Sequence, residues 1–159
     1  MRIIGIDPGT GILGFGVIDL DNKTKATLVE AGVIRTNVHQ PLDERLEEIY
    51  KGLCDIIAET KPKIMVVEKL FFAQNVTTAI SVSHARGVAM LAGKLAGLEI
   101  IEYTPLQIKQ SLTGYGRADK NQVQQMVKIL LGLKEVPKPD DCADALAAAL
   151  MHATALKVK

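Results

Sequence analysis

The hydrophobic pattern of this chain changes from the period of strands to that of a helix near residue 42, and that change limits the folds that the sequence can adopt. The first part contains three short apolar runs separated by turn-forming residues, which predict an antiparallel meander of strands at 2–7, 13–20 and 26–36. From Leu42 to Ile57 the apolar residues recur every three or four positions, a spacing that is typical of an amphipathic helix. The chain therefore combines a sheet with helices that cover it.

Strands and helices alternate in the rest of the sequence. Apolar runs at 63–67 and 98–103 predict two more strands, each preceded by a helix. Pro105 opens a further helix, Asp119 caps the next one, and the last helix begins near Asp140. The expected order is βββαβαβααα, so we predict an α/β fold with a five-stranded mixed sheet flanked by helices.

Length and composition favour a single domain over residues 1–159. Hydrophobic residues make up 48% of the chain and charged residues 23%, which is typical of globular proteins. Cys54 and Cys142 have no second Cys or His at the spacing of a zinc site. Charged residues interrupt each apolar stretch before the roughly 18 residues that a membrane helix needs, and no signal peptide is evident. We expect a soluble, cytoplasmic domain with reduced cysteines.

The near-neutral net charge of +1 hides two segments of opposite charge. Residues 42–60 have six acidic and two basic side chains, whereas residues 105–138 have six basic and two acidic ones. The pattern needs no functional explanation if the two segments simply form solvent-exposed helix faces of opposite charge. A basic surface on one side is also what a polyanion such as nucleic acid needs, because neutralised phosphates supply much of its affinity.

Four carboxylates stand in apolar surroundings, where a charged group is unfavourable. Asp7 ends the first strand, Glu68 ends the fourth, and Asp141 and Asp144 lie three apart in the last helix. Taken singly, each is also explained as a turn residue, a strand end or a helix cap. Together they are better explained as ligands of divalent cations, which prefer carboxylate oxygens. We expect Asp140 to lie on another face of that helix.

Two motifs near the N-terminus look like nucleotide-binding sites but lack the right context. Residues 9–14 match G-x-G-x-x-G, yet a strand pattern follows where a dinucleotide site needs a helix. Residues 7–10 look like the phosphate-binding hairpin of sugar kinases and actin-like ATPases. Those proteins enclose the nucleotide between two lobes, and 159 residues supply one.

The helix predicted at 77–97 is apolar on nearly all sides. Such a helix is expected to be buried all round, with one face on the sheet and the other covered by a second copy of the chain. We therefore expect a homodimer. If the face with Ala89 and Ala92 forms the contact, a glutamate at either position should disturb the dimer.

Several motifs occur in order over essentially the whole chain. They are Gly5-Ile6-Asp7-Pro8-Gly9-Thr10, Val67-Glu68, Phe71-x-Ala73-Gln74-Asn75, Gly87-Val88, Tyr103-x-Pro105-x-x-Ile108-Lys109, Gly114-x-Gly116-x-Ala118-x-Lys120 and Asp141-x-Ala143-Asp144-Ala145-Leu146-Ala147. Together they resemble the RuvC family of bacterial Holliday junction resolvases. Other RNase H-like nucleases would share only the acidic residues.

This resemblance implies an RNase H-like fold and a dimeric endonuclease that makes paired symmetric nicks in four-way DNA junctions during recombination and repair. It implies dependence on Mg²⁺, with two ions per active site and Mn²⁺ as a substitute, and the RuvA/RuvB branch-migration complex as partner. The acids that match catalytic and metal-binding positions are Asp7, Glu68, Asp141 and Asp144. Lys109 and Lys120 match active-site lysines. The DNA contacts expected are Phe71, Phe72, Lys109, Arg117 and Lys120.

Three other functions compete with this one. Another RNase H-like nuclease, such as the RuvC-like family implicated in ribosomal RNA processing, would lack the loop at 69–76 and the segment from Lys109 to Lys120. A junction-binding protein without nuclease activity would gain nothing from four carboxylates, because they repel a polyanion unless metal is bound. One lobe of an actin-like ATPase is disfavoured by the length of the chain.

Overall fold

A five-stranded mixed sheet organises the fold, as predicted. The computed structural model describes residues 1–21, 25–70 and 76–157. The strands and helices are β1 (Arg2–Asp7), β2 (Ile12–Leu20), β3 (Ala26–Arg35), α1 (Leu42–Thr60), β4 (Ile64–Glu68), α2 (Val76–Leu95), β5 (Glu99–Tyr103), α3 (Pro105–Thr113), α4 (Lys120–Leu131) and α5 (Asp140–Lys157). None of the helices in these ranges is both long and apolar enough to cross a membrane.

The strand order β3-β2-β1-β4-β5 puts the first and fourth strands next to each other at the centre of the sheet. β1, β2 and β3 form the predicted antiparallel meander, and β2 begins within the glycine motif at 9–14, where a dinucleotide site would need a helix to follow. β1 and β4 are parallel, with Ile6 opposite Val67 in the last pair. Asp7 and Glu68 come one residue later in their strands, so both acids reach the same edge of the sheet.

The sheet separates two hydrophobic clusters with different helices. α1 and α2 cover the face that contains Ile4 and Ile6, whereas α3, α4 and α5 cover the face that contains Ile3. Because successive side chains in a strand point to opposite faces, Asp7 shares a face with Ile3, and Glu68 shares that face with Val66. Both acids therefore lie on the side of the sheet that α5 covers.

Helix α5 lies unusually close to the sheet because glycines in the strands face it. A Cβ added to Gly5 would overlap the carbonyl oxygen of Ala145, and one added to Gly14 would overlap the carbonyl oxygen of Asp141. Gly14 is paired with Asp7 in the β1–β2 ladder. The first turn of α5 is thus held directly against the strand end that supplies the first acid.

Helix α2 is not buried all round within the chain. Its side toward the sheet has Ala85, Ala89 and Ala92, which are almost fully buried in the chain's own core. Its opposite side has Leu91 and Leu95, which are 54% and 67% exposed. The condition set for Ala89 and Ala92, that their face forms the contact with a second copy, is therefore not met, because these small side chains pack against the chain's own sheet.

Because α5 lies so close to Gly14, a methyl group added at this residue should strongly destabilise the fold. Gly14→Ala should lower the free energy of unfolding by about 3 kcal/mol, because the first turn of α5 must move away from β2. Thermal or urea unfolding measures this effect. Gly11→Ala is the control, since an added Cβ there meets only the end of the Arg45 side chain, at the ordinary contact distance of 3.6 Å, and it should leave stability nearly unchanged. Equal stability of Gly14→Ala and the wild type would contradict the proposed contact.

Candidate functional site

The acids at the ends of β1 and β4 meet the first turns of α5 at one edge of the sheet. Burial is the largest cause that raises the pKa of the Asp7 carboxyl, from 3.8 to about 7, and the negative charges of Asp144 and Glu68 add to it. Asp141 raises this pKa further, while Lys120 lowers it. These mutual effects place the four sequence-predicted acids within electrostatic reach of one another.

The same surroundings also raise the pKa values of Glu68 and Asp144. Burial raises the pKa of the Glu68 carboxyl above its ordinary value, as does the charge of Asp144, whereas Lys109 lowers it. Burial also raises the pKa of Asp144, against the opposing effect of its hydrogen bond with Lys120. The site thus holds carboxylates in a poorly hydrated place where a cation stabilises their charged form.

Lys120 supplies such a cation from the chain itself. Its Nζ lies 3.0 Å from Oδ2 of Asp144 and 3.3 Å from Oδ2 of Asp140. Asp119 fixes the start of α4 by a capping box, in which its side chain accepts a hydrogen bond from the Gln122 amide at 2.8 Å. Lys120 is therefore the first residue of α4, directed toward the first turns of α5.

The contact between Lys120 and two acids corrects an expectation about α5. Asp140 was expected on another face from Asp144, but one ammonium group reaches both carboxylates. The physical reason is that Asp140 and Asp144 are four residues apart, and residues four apart in a helix share a face, as residues three apart do. Asp141, which raises the pKa of Asp7, and Asp140, which binds Lys120, therefore flank Asp144 on two sides.

A cavity of about 240 Å³ adjoins these acids and contains both predicted lysines. Its polar lining residues are Glu68, Lys109, Lys120 and Asp144, and its apolar ones are Pro105, Ile108, Val123 and Ala147. α3 begins at Pro105 because Thr104 forms a capping box with Gln107, and this start brings Lys109 to the cavity. The basic segment thus contributes its two lysines beside the acids, in a cavity that combines both signs of charge.

Of the remaining predicted DNA contacts, the structure describes only Arg117. Arg117 is exposed in the turn between α3 and α4 and is not among the residues that line the cavity. Phe71 and Phe72 lie outside the described residues. The sequence analysis did not predict the ion pair of Lys120 with Asp140. The Asp119 cap indicated only that Lys120 is the first residue of its helix.

The donor set fits a hard divalent cation, since the four predicted ligands offer only carboxylate oxygens. The raised pKa values of Asp7, Glu68 and Asp144 also indicate that the cluster gains from an added positive charge. As the side chains stand, the described part of the chain has no group of three or more His, Cys, Asp or Glu residues close enough to hold an ion. Three of these carboxylates could hold one ion together only if they moved closer to one another.

These strands and helices form an RNase H-like α/β fold, with an acidic site at one sheet edge. The family model described as "Crossover junction endodeoxyribonuclease RuvC" matches residues 3–152, and the chain belongs to this family. A RuvC of Desulforamulus reducens is 54% identical over 154 residues, which cover 96% of this chain and 93% of that protein. These matches extend over almost the whole sequence.

Solved structures agree with the family assignment. The RuvC structure of Thermus thermophilus superposes with a TM-score of 0.92 at 38% identity and covers 99% of this chain and 96% of its own. The structure of T. thermophilus RuvC in complex with a Holliday junction substrate has a TM-score of 0.93 at the same identity and coverage. The resemblance found in the sequence motifs is thus confirmed.

The raised pKa of Asp7 predicts how stability depends on pH without metal. A folded pKa of about 7 against 3.8 means that ionised Asp7 destabilises the fold, increasingly as pH rises from about 4 to 7. Asp7→Asn should therefore be more stable than the wild type at pH 8 by about 1–4 kcal/mol, with a much smaller difference at pH 4. Urea unfolding in EDTA at both values measures this difference.

The control for this test is Asp55→Asn, which removes an exposed acid from α1. It should leave stability nearly unchanged at both pH values. If Asp7→Asn behaved like Asp55→Asn, the carboxylates would not share one site.

Proposed function

We propose that residues 1–159 form a single nuclease domain that resolves four-way DNA junctions by paired, symmetric, metal-dependent nicks. The observation that carries this proposal is the meeting of Glu68 and Asp144 with Lys109 and Lys120 at one cavity, with Asp7 and Asp141 close enough to affect the same carboxylates, in a chain of the RuvC family. T. thermophilus RuvC has been solved with a Holliday junction substrate, and 38% identity over nearly the full chain supports the same substrate here.

Nucleases of the RuvC family are metal-dependent. We propose that Asp7, Glu68, Asp141 and Asp144 hold two Mg²⁺ ions in each site, with Mn²⁺ as a substitute. When bound, such ions neutralise charge at the scissile phosphate and make water a better nucleophile. Carboxylates alone suit these ions, because Mg²⁺ keeps much of its own water and takes only a few protein oxygens.

The lysines of the site act on the DNA backbone in this proposal. Lys109 lines the cavity beside Glu68, where its ammonium group can bind the phosphate next to the scissile one. In the absence of metal, Lys120 pairs with both Asp144 and Asp140 and compensates part of their charge. Once cations take over Asp144, Lys120 is available to stabilise negative charge that develops on the phosphate. We propose further DNA contacts from Arg117 and from Phe71 or Phe72, whose rings can stack on unpaired bases.

Paired nicks need two active sites related by a two-fold axis, and the exposed side of α2 supports a dimer. Ile80, Leu91 and Leu95 are each more than half exposed on this helix. Large apolar side chains that share one exposed helix face are typical of an interface. We propose that two copies pair through this face. We further propose, from the family resemblance, that the protein works in the cytoplasm with the RuvA/RuvB complex.

Substrate choice tests the proposal against the other nuclease functions. A labelled mobile four-way junction, a duplex and a single strand are incubated with Mg²⁺, and the products are separated under denaturing conditions. Symmetric cleavage of the junction, with little cutting of the other two DNAs, is expected. Junction binding without cleavage in Mg²⁺ and Mn²⁺ would favour a non-cleaving binding protein. Preferred cleavage of a structured RNA would favour an RNA-processing nuclease.

Amide substitutions test the roles of the acids. Asp7→Asn, Glu68→Gln, Asp141→Asn and Asp144→Asn should each slow junction cleavage by at least about 100-fold, equivalent to ~3 kcal/mol of activation free energy. Junction binding in a gel shift should survive, because it depends on the basic surface. Asp140→Asn is the matched control in the same helix and should slow cleavage by less than about 10-fold. A larger effect at Asp140 than at Asp141 would exchange their roles.

A charge on the exposed face of α2 tests the dimer. Leu91→Glu should shift the sedimentation of the protein from dimer to monomer at micromolar concentration, because the carboxylate would be buried without a partner. Ile129→Glu is the matched control, since Ile129 is 66% exposed on α4, and it should leave the dimer intact. A wild-type chain that sediments as a monomer would contradict the interface.

A further inference from the structure

Arg86 connects helix α2 to the strand end that carries Glu68. Its Nε donates a hydrogen bond to the main-chain carbonyl oxygen of Glu68 at 3.1 Å. Another nitrogen of the same guanidinium forms an ion pair with Glu102 of β5. The side chain of Arg86 is only 19% exposed, so these contacts are made largely out of water, where charge-assisted hydrogen bonds are strong.

Arg86 binds the Glu68 carbonyl where the β1–β4 ladder has already ended, although β4 still pairs with β5 at this residue, with Glu68 opposite Tyr103. The pairing of β4 with β1 stops at Val67, opposite Ile6. On the other side, the amide of Lys69 still donates to the carbonyl oxygen of Tyr103 at 2.8 Å. The hydrogen bond from Arg86 therefore holds the last residue of β4 at a point where the central strand pair no longer does.

The same helix also contacts the turn that follows the other acid-bearing strand. The hydroxyl groups of Thr10 and Ser81 lie 2.6 Å apart, within hydrogen-bond distance. Thr10 is three residues after Asp7, and its side chain is nearly buried. Helix α2 thus contacts the ends of both central strands, through Ser81 for β1 and through Arg86 for β4.

We propose that Arg86 is a positioning residue, which sets the main-chain position of Glu68 so that its carboxylate can join Asp7 and Asp144 around a divalent cation. This inference rests on the proposed function, because it assigns a role toward the same site.

The two contacts of Arg86 can be removed separately. Arg86→Lys keeps a positive charge for Glu102 but lacks the planar fork that reaches two acceptors at once, so it loses the hydrogen bond to Glu68. Glu102→Gln does the opposite, since it removes the ion pair and leaves Arg86 bound to the Glu68 carbonyl. A merely structural ion pair predicts that both variants behave alike.

The first readout needs neither DNA nor turnover. Melting temperatures of the full chain are measured in EDTA and then over a series of Mg²⁺ or Mn²⁺ concentrations, with ionic strength held constant. The metal concentration that produces half of the stabilising shift should rise about 10-fold in Arg86→Lys, which is the usual effect of losing a group that orients a metal ligand. In Glu102→Gln it should stay within about 3-fold of the wild type.

The second readout is cleavage of a four-way junction over the same metal series. Arg86→Lys should need about 10-fold more metal for its half-maximal rate and should recover much of the wild-type rate at high metal. Junction binding in EDTA should be unchanged. If Arg86→Lys fails to fold, the double variant Arg86→Met with Glu102→Leu leaves no unpaired buried charge, and the same metal shifts are expected.

These outcomes separate the inference from the proposed function. Equal metal responses of Arg86→Lys and Glu102→Gln, or a wild-type response in Arg86→Lys, would overturn the positioning role. A wild-type chain that binds metal but does not cut junctions would refute the proposed function and leave the role of Arg86 standing. A wild-type chain with no metal-specific response in either melting or cleavage would refute both.

Discussion

The contact of helix α5 with the first two strands is the constraint on which the site depends. Gly5 and Gly14 remove the side chains that would separate the helix from the sheet. As a result, a helix rich in buried alanine is close enough for its first turns to face the ends of β1 and β4. A larger residue at either glycine would separate the acids of the helix from those of the strands, even if the strand order stayed the same.

Bringing the acids together opposes folding, and the chain relieves this repulsion in two ways. The Asp7 carboxyl has a pKa of about 7, so it is partly protonated near neutral pH. Lys120 places its ammonium group between Asp140 and Asp144. The site therefore exists before any ion arrives, in a state whose charge is only partly compensated, and such a state favours uptake of a cation.

The sequence allowed prediction of the strand ends but not of contacts that depend on helix orientation. Apolar runs identified β1 and β4, and their parallel pairing brings Asp7 and Glu68 to one edge. The contact of Lys120 with Asp140 depends on how α4 approaches α5, which hydrophobic spacing does not encode. The exposed and buried sides of α2 were likewise not distinguishable, because its apolar residues surround the helix. Arg86 gave no signal, since its partner is a main-chain carbonyl oxygen.

The two segments of opposite charge in the sequence lie on opposite faces of the sheet. The segment at 42–60, with its excess of acids, forms α1 on one face, and the basic segment at 105–138 includes α3 and α4 on the other. Helix α1 therefore presents an excess of acids on the face away from the cavity, whereas on the cavity face lysines stand beside the acids of the site. A highly charged polyanion is repelled from the α1 face, and this repulsion favours its approach from the cavity side. Salt would weaken this preference, since charges on the surface are screened beyond about 10 Å at 0.1 M, and thus would slow productive encounters without changing the chemistry at the cavity.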